Sequence, residues 1–288
     1  MLRLSPTERV GPISKTAFLR DYRALGKPAI FEALTVSWPA REKWSVAYLK
    51  HVAGDKQVPL YDSRPAQGRQ HQHATTACMQ LGEYLDRVSA GENDLRIFFL
   101  RVPNEIPELM ADFAYPDLGL KFVKKLSVLF MGGKGARVQM HFDIDLAEIF
   151  LCHFGGKKRV MLFAPDQTPY LYRVPFSFST LFGVRPDAPD YEKYPALRQA
   201  RGEIAELGHG DVLYIPSGYW HYVLYDEISF SLSLRALPRR ARHLLTILYN
   251  VAVLRTVEGM MRKVFGQRWN ERNERLAVER THKRLGLV

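Results

Sequence analysis

The stretch from Gly135 to His221 restricts what this chain can fold into more than any other part of it. It opens Gly135-Ala136-Arg137-Val138-Gln139-Met140-His141-Phe142-Asp143 and closes Gly210-Asp211-Val212-Leu213-Tyr214-Ile215-Pro216-Ser217-Gly218-Tyr219-Trp220-His221. Alternate side chains of an extended strand share a face, so His141 and Asp143 point the same way and can meet one ion. The fold must then bring His221 to the same place from far along the chain. Two imidazoles and one carboxylate on one side of an ion suit ferrous iron and leave positions open for a chelating co-substrate and dioxygen. Such a site favours oxygen chemistry over structural metal binding.

A His-x-Asp alone is a weak signal, and the flanking spacing strengthens it. The first segment reads Gly-x5-His-x-Asp-x4-Glu-x6-Gly, from Gly135 through Glu148 to Gly155, and the second Gly-x5-Pro-x-Gly-x2-His, from Gly210 to His221. These motifs resemble those of the cupin superfamily. With Asp143 two residues after His141, and Gly156-Lys157-Lys158-Arg159-Val160-Met161-Leu162-Phe163-Ala164-Pro165 following, the chain is similar to the JmjC-type (cupin-8) branch. Gly26-Lys27-Pro28-Ala29-Ile30-Phe31, Trp38-Pro39-Ala40 and Lys43-Trp44-Ser45 look like the start of such enzymes. The likeness runs over residues 10–238 and is strongest over 130–235. It implies a mainly β fold with flanking α: a double-stranded β-helix (jelly roll) core, N-terminal helices and a C-terminal helical segment. That branch holds iron(II)- and 2-oxoglutarate-dependent hydroxylases, including asparaginyl hydroxylases and a tRNA wybutosine hydroxylase.

The resemblance implies further site residues. Fe(II) would be held by His141, Asp143 and His221, which are also the catalytic set. A fixed cation must take the distal carboxylate of 2-oxoglutarate. Lys158 matches the family's lysine frame two residues late, because of an insertion around Ile144 to Ala147. Arg235 is the rival cation, since it ends the strand Ile228-Ser229-Phe230-Ser231-Leu232-Ser233-Leu234-Arg235 and shares a face with its serines. Ser233 stands where the family has a late-strand asparagine. Phe99 and Val138 fall where the asparaginyl hydroxylases carry a tyrosine and a threonine, so two hydrogen bonds to the co-substrate would be missing. Glu148 sits at the spacing of a fourth ligand in plain cupins, and the alternative is a glutamate at the barrel mouth. His153 alternates with Ile149 and Leu151 and reads as a hydrogen-bonded core histidine rather than a ligand. Tyr219, Trp220 and Tyr222 either wall a substrate pocket or pack in the core.

The 288 residues, 47% of them hydrophobic, can bury a sizeable core. One domain over 1–238 with a segment over 239–288 is the natural division. Cys78 and Cys152 form no paired pattern, which fits a reducing compartment. No signal-peptide core is present and no later run is read as long enough to span a bilayer, so the expected location is the cytoplasm. Residues 14–24 and 44–53 have helical spacing, with Ser14 and Ser45 as starts. A strand is expected at Gln57 to Tyr61, a helix from Met79 to Ala90 and a strand from Leu95 to Arg101. Ser63 to Ala77, holding Arg64, Arg69, His71 and His73, reads as a solvated or substrate-facing loop rather than a second metal pair.

After Pro238 the character changes. Apolar residues at helical spacing run from Leu244 to Val264, a face that either pairs with a second copy, making a homodimer, or folds back on the barrel. From Arg235 onward 13 Lys/Arg face 4 Asp/Glu, which gives +9 of the whole chain's +11. Such a cluster attracts nucleic acid or an acidic protein, or is a solvated helix face. The expected function is C–H hydroxylation of a protein side chain. The same chemistry on a modified RNA base is an alternative, and so is a metal-binding cupin without 2-oxoglutarate chemistry.

Overall fold

The computed structural model describes residues 2–64, 67–68, 75–91, 95–238 and 241–287. Arg69, His71 and His73 of the expected loop lie outside the described residues. Among the described residues fourteen strands form in chain order: β1 Arg3–Pro6, β2 Arg9–Val10, β3 Ala29–Phe31, β4 Gln57–Tyr61, β5 Ala77–Gln80, β6 Arg96–Arg101 and β7 Val128–Gly132. They continue with β8 Arg137–His141, β9 Glu148–Gly155, β10 Lys158–Phe163, β11 Arg201–Leu207, β12 Val212–Ile215, β13 Trp220–Tyr225 and β14 Ser229–Ala236. One sheet runs β1-β11-β10-β13-β8, and the other β2-β3-β12-β9-β14-β7-β6-β4-β5.

The period of two along each strand sorts side chains into three cores. Ile149, Leu151, Val160, Leu162, Val223 and Tyr225 meet between the sheets. Their alternates on β9 and β14, Phe150, Cys152, Phe154, Phe230, Leu232 and Leu234, face outwards against the N-terminal helices. Met161, Phe163, Trp220 and Tyr222 face outwards from the smaller sheet, where the insert residues Leu171, Tyr194 and Leu197 cover them together with Ala277 of the last helix. Strand β9 is covered on both faces and is apolar apart from Glu148 and His153, as two-sided burial requires. On β14 one face is apolar and the other carries Ser229, Ser231, Ser233 and Arg235, of which the last two line the cavity.

The helices follow their sequence signals. Ser45 Oγ accepts from Tyr48 N at 3.1 Å to cap Val46–Ala53, and Ser14 Oγ accepts from Ala17 N at 3.2 Å. After Ser14 the helix widens to a π turn over Phe18–Arg23. At the C-terminus, helical residues run from Ala241 to Phe265 with a π turn at Tyr249–Leu254, break at Gly266, where φ is +54°, and resume over Gln267–Leu285.

One sequence expectation is corrected here. The helix His243–Phe265, 23 residues with a window of mean hydropathy 1.3, is long and apolar enough to cross a membrane by length and composition, and only 6% of that window is buried. The sequence reading expects no run long enough to span a bilayer, and this helix is one by length and composition alone.

Candidate metal centre and co-substrate cavity

The first ligand owes its direction to a bulge. On β8 the interval from Val138 to His141 opposes the shorter interval from Val223 to His221 on β13, so one extra residue lies between them. Residues three apart on a regular strand face opposite ways, whereas the extra residue turns both Val138 and His141 into the cavity. Met140, between them, goes outwards to full burial. The register pairs His221 directly with His141, and the ring centroids stand 4.2 Å apart.

Asp143, just past the end of β8, completes the group: one ligand atom from each of His141, Asp143 and His221 lies within 4.8 Å of the others. His141 Nδ1 donates to Gln139 O at 2.8 Å and His221 Nδ1 to Tyr219 O at 3.2 Å. With both δ nitrogens carrying protons, the ε nitrogens hold the ligating lone pairs. Asp143 Oδ2 is buried and accepts no hydrogen bond, although Arg235 Nη2 stands 3.4 Å away. Burial would push this carboxyl up, but the charge of Arg235, with His221 and His141, holds it down at about 2. A buried, orphaned carboxylate oxygen beside two oriented imidazoles fits a divalent metal.

The triad opens on a cavity of about 890 Å³ between the sheets, lined also by Lys158, Ser233, Arg235, Tyr225, Phe99 and Val138. Lys158, at the start of β10, is 1% exposed. Its ammonium donates to Ser231 Oγ and stands 4.0 Å from the Tyr225 ring centre, and among the described residues it has no carboxylate partner. Burial pushes this amine well below the usual lysine value. Ser231 Oγ also meets His153 Nδ1 at 3.1 Å, and His153 Nε2 donates to Gly156 O at 2.6 Å, so His153 is a fully buried, hydrogen-bonded core residue. Burial and the nearby Lys158 charge push its imidazole down to about 3. Ser233 Oγ, on the next inward position of β14, is buried without a hydrogen-bond partner among the described residues.

Arg235 is placed differently from Lys158. It binds Asp145 through two contacts, Nη2 to Oδ1 at 2.6 Å and Nε to Oδ2 at 3.2 Å. Its charge is already matched by carboxylates, while that of Lys158 is not.

Glu148 does not join the ligands. It shares the outward face of β9 with Phe150 and Cys152, and its carboxylate accepts from Arg23 at 2.9 Å and from Tyr214 OH at 2.9 Å. Trp220 and Tyr222 belong to the outer core rather than the cavity wall. Phe98 and Phe99 enter the cavity together because β6 carries its own irregularity between Ile97 and Leu100, where Phe99 has φ +59°. Sequence reasoning missed Asp145 and Tyr225. Tyr225 continues the alternation of His221 along β13, whereas Asp145, two residues after Asp143, lies in a turn where alternation gives no signal.

Comparison with known proteins places these features in a family. Lysine-specific demethylase 8 of Danio rerio is 32% identical over 246 residues, covering 80% of this chain and 59% of that protein. tRNA wybutosine-synthesizing protein 5 of Gallus gallus is 28% identical over 242 residues, covering 77% of this chain and 74% of that protein. HSPB1-associated protein 1 of Homo sapiens is 28% identical over 239 residues, 75% of this chain and 49% of that protein. The chain thus spans 59% of the fish demethylase and 49% of the frog one, Lysine-specific demethylase 8 of Xenopus tropicalis. A family model described as Cupin-like domain matches residues 15–251, which take in both motif strands, and the chain belongs to that family.

Proposed function

We propose that this protein is an Fe(II)- and 2-oxoglutarate-dependent oxygenase that hydroxylates a C–H bond. Membership of the cupin-like family and similarity to a protein named a lysine-specific demethylase support oxygenase chemistry in general. The observation that carries the finer reading is Lys158: a buried ammonium without a carboxylate partner, opening on the same cavity as the triad.

His141, Asp143 and His221 would hold the metal, which together with 2-oxoglutarate supplies oxidative decarboxylation coupled to hydroxylation. Lys158 binds the distal carboxylate, gaining the counter-charge its burial lacks. Ser231 orients the ammonium, and the unpartnered Ser233 hydroxyl offers a second donor to the same acid. Phe99 and Val138 line the cavity without offering a hydroxyl, and the Phe99 ring stands 5.9 Å from the Arg235 guanidinium. The test is an anaerobic titration of iron(II)-loaded protein with 2-oxoglutarate, followed by admission of oxygen and assay of succinate. A visible charge-transfer band that Lys158→Ala weakens, then succinate, is the expected result. Iron binding without the band at millimolar acid overturns the reading.

The substrate we favour is a side chain of another protein. The cavity mouth mixes Arg101, Glu105, Arg255 and Glu258 with the rings of Phe99 and Phe176, which suits a peptide of mixed character. The local +9 of the C-terminal segment favours RNA as the second reading, and salt-sensitive tRNA binding distinguishes the two.

We also propose a homodimer through the C-terminal helix. Nine of the fifteen large hydrophobic side chains left exposed among the described residues lie between Leu244 and Phe265, with Leu245 68% exposed. A monomeric mass at micromolar concentration without detergent or lipid, together with vesicle binding, would assign that face to a membrane instead.

A further inference from the structure

The turn between β8 and β9, residues 144–147, carries Asp145 to the buried guanidinium of Arg235. Asp145 takes that cation through both carboxylate oxygens, at 2.6 and 3.2 Å. The same Nη2 stands 3.4 Å from Asp143 Oδ2, the buried oxygen that accepts no hydrogen bond. One cation therefore faces two carboxylates, and the shorter, two-point contact goes to the one outside the metal triad. Asp145 Oδ1 also accepts from Ala147 N at 3.2 Å. The loop is pinned at both sides, since Ser217 Oγ donates to Leu146 O at 2.6 Å and Asn250 Nδ2 donates to Ile144 O at 3.2 Å.

We propose that Asp145 and Arg235 are a positioning pair for the metal ligand Asp143. In this arrangement Asp145 holds Arg235 far enough back that Asp143 Oδ2 stays available to a metal, while the longer 3.4 Å contact from Arg235 keeps Asp143 aimed. Arg235 thereby serves the metal, and the co-substrate is left to Lys158. A cation and a metal compete for one carboxylate oxygen. Removing the charge of Asp145 leaves Asp143 as the remaining carboxylate partner of Arg235 among the described residues, and the guanidinium closes on it. Outer-shell partners of this kind carry about 10–100-fold in metal affinity. The inference rests on the metal-site reading but not on oxygenase activity.

The experiment uses the full chain and Co(II) as the probe, without oxygen or 2-oxoglutarate, reading Kd and the visible d–d bands. Asp145→Asn is expected to weaken Co(II) roughly 10–100-fold and shift the bands. Asp145→Asn combined with Arg235→Gln removes the competitor as well, and is expected to recover affinity relative to Asp145→Asn alone. A purely structural role predicts the reverse order, with the double variant weaker than the single. Wild-type affinity and bands in Asp145→Asn overturn the proposal, as does a double variant that gains nothing. If Asp145→Asn does not fold, Arg235→Gln alone decides. Its bands must shift while its melting temperature in the absence of metal stays close to wild type, and unshifted bands overturn the pair. If wild-type protein binds no Co(II), the metal site itself fails, a result distinct from failure of the pair.

Discussion

Replacing Lys158 by Met separates two roles that most site residues confound. The side chain is 1% exposed, meets Ser231 and the Tyr225 ring, and has no carboxylate partner among the described residues. Without co-substrate its burial is a net cost. Exchanging buried ionic groups for apolar ones of similar volume is neutral to stabilising by about 1–4 kcal/mol. In a domain of this size each kcal/mol moves the melting temperature by about 2–4 °C. Lys158→Met is therefore expected to melt at or above wild type in the absence of 2-oxoglutarate. It also loses a hydrogen bond to a charged group worth about 1.5–3 kcal/mol, so the Kd for 2-oxoglutarate rises roughly 10–150-fold. The pH dependence has a definite sign. Burial lowers the folded-state pKa of this amine, so between that value and the unfolded value of about 10.4 the unfolded chain binds a proton that the folded chain does not. Stability contributed at this position rises with pH through that window, and the wild-type-minus-Met difference isolates it. Thermal unfolding across neutral to alkaline pH, with and without 2-oxoglutarate, reads every term. A variant that melts well below wild type and binds the acid with unchanged affinity would refute the reasoning.

Further expectations follow from other contacts. Joint His141→Ala and His221→Ala substitution should abolish stoichiometric iron by metal analysis, since one carboxylate cannot hold the ion alone. Glu148→Gln should leave iron stoichiometry intact but lower stability by about 1–3 kcal/mol in denaturant titration, because Arg23 and Tyr214 lose a charged acceptor. Gly132→Ala would place a methyl 2.8 Å from the Tyr225 ring that backs Lys158, and should cost about 1–3 kcal/mol and weaken 2-oxoglutarate binding.

What the sequence made legible depended on whether alternation survived. His141, Asp143 and His221 could be read because glycine and proline anchors fix both motif strands, and Ser231, Ser233 and Arg235 because β14 is regular over its whole length. Lys158 was reachable by the frame that the resemblance supplies. Glu148 was not, since a change of loop length leaves the face of the next strand undetermined until the strand is paired. The bulge on β8 was equally hidden: Val138 and His141 lie three apart, and nothing in their identities announces that both turn inwards. The role of Asp145 needed the position of Arg235, ninety residues away in sequence. The helix over 240–265 was visible in its periodicity, but its π turn and the extent of its exposed surface were not.

The two ligand histidines take their orientation from main chain: each δ nitrogen donates to the carbonyl two residues back on its own strand. The tautomer is thus inherited with the backbone and does not depend on a neighbouring side chain keeping its identity. Cavity residues around the triad can be exchanged without having to re-solve the aim of either imidazole. A chain carrying this pair of strands can vary its cavity wall while the two ε nitrogens keep their direction.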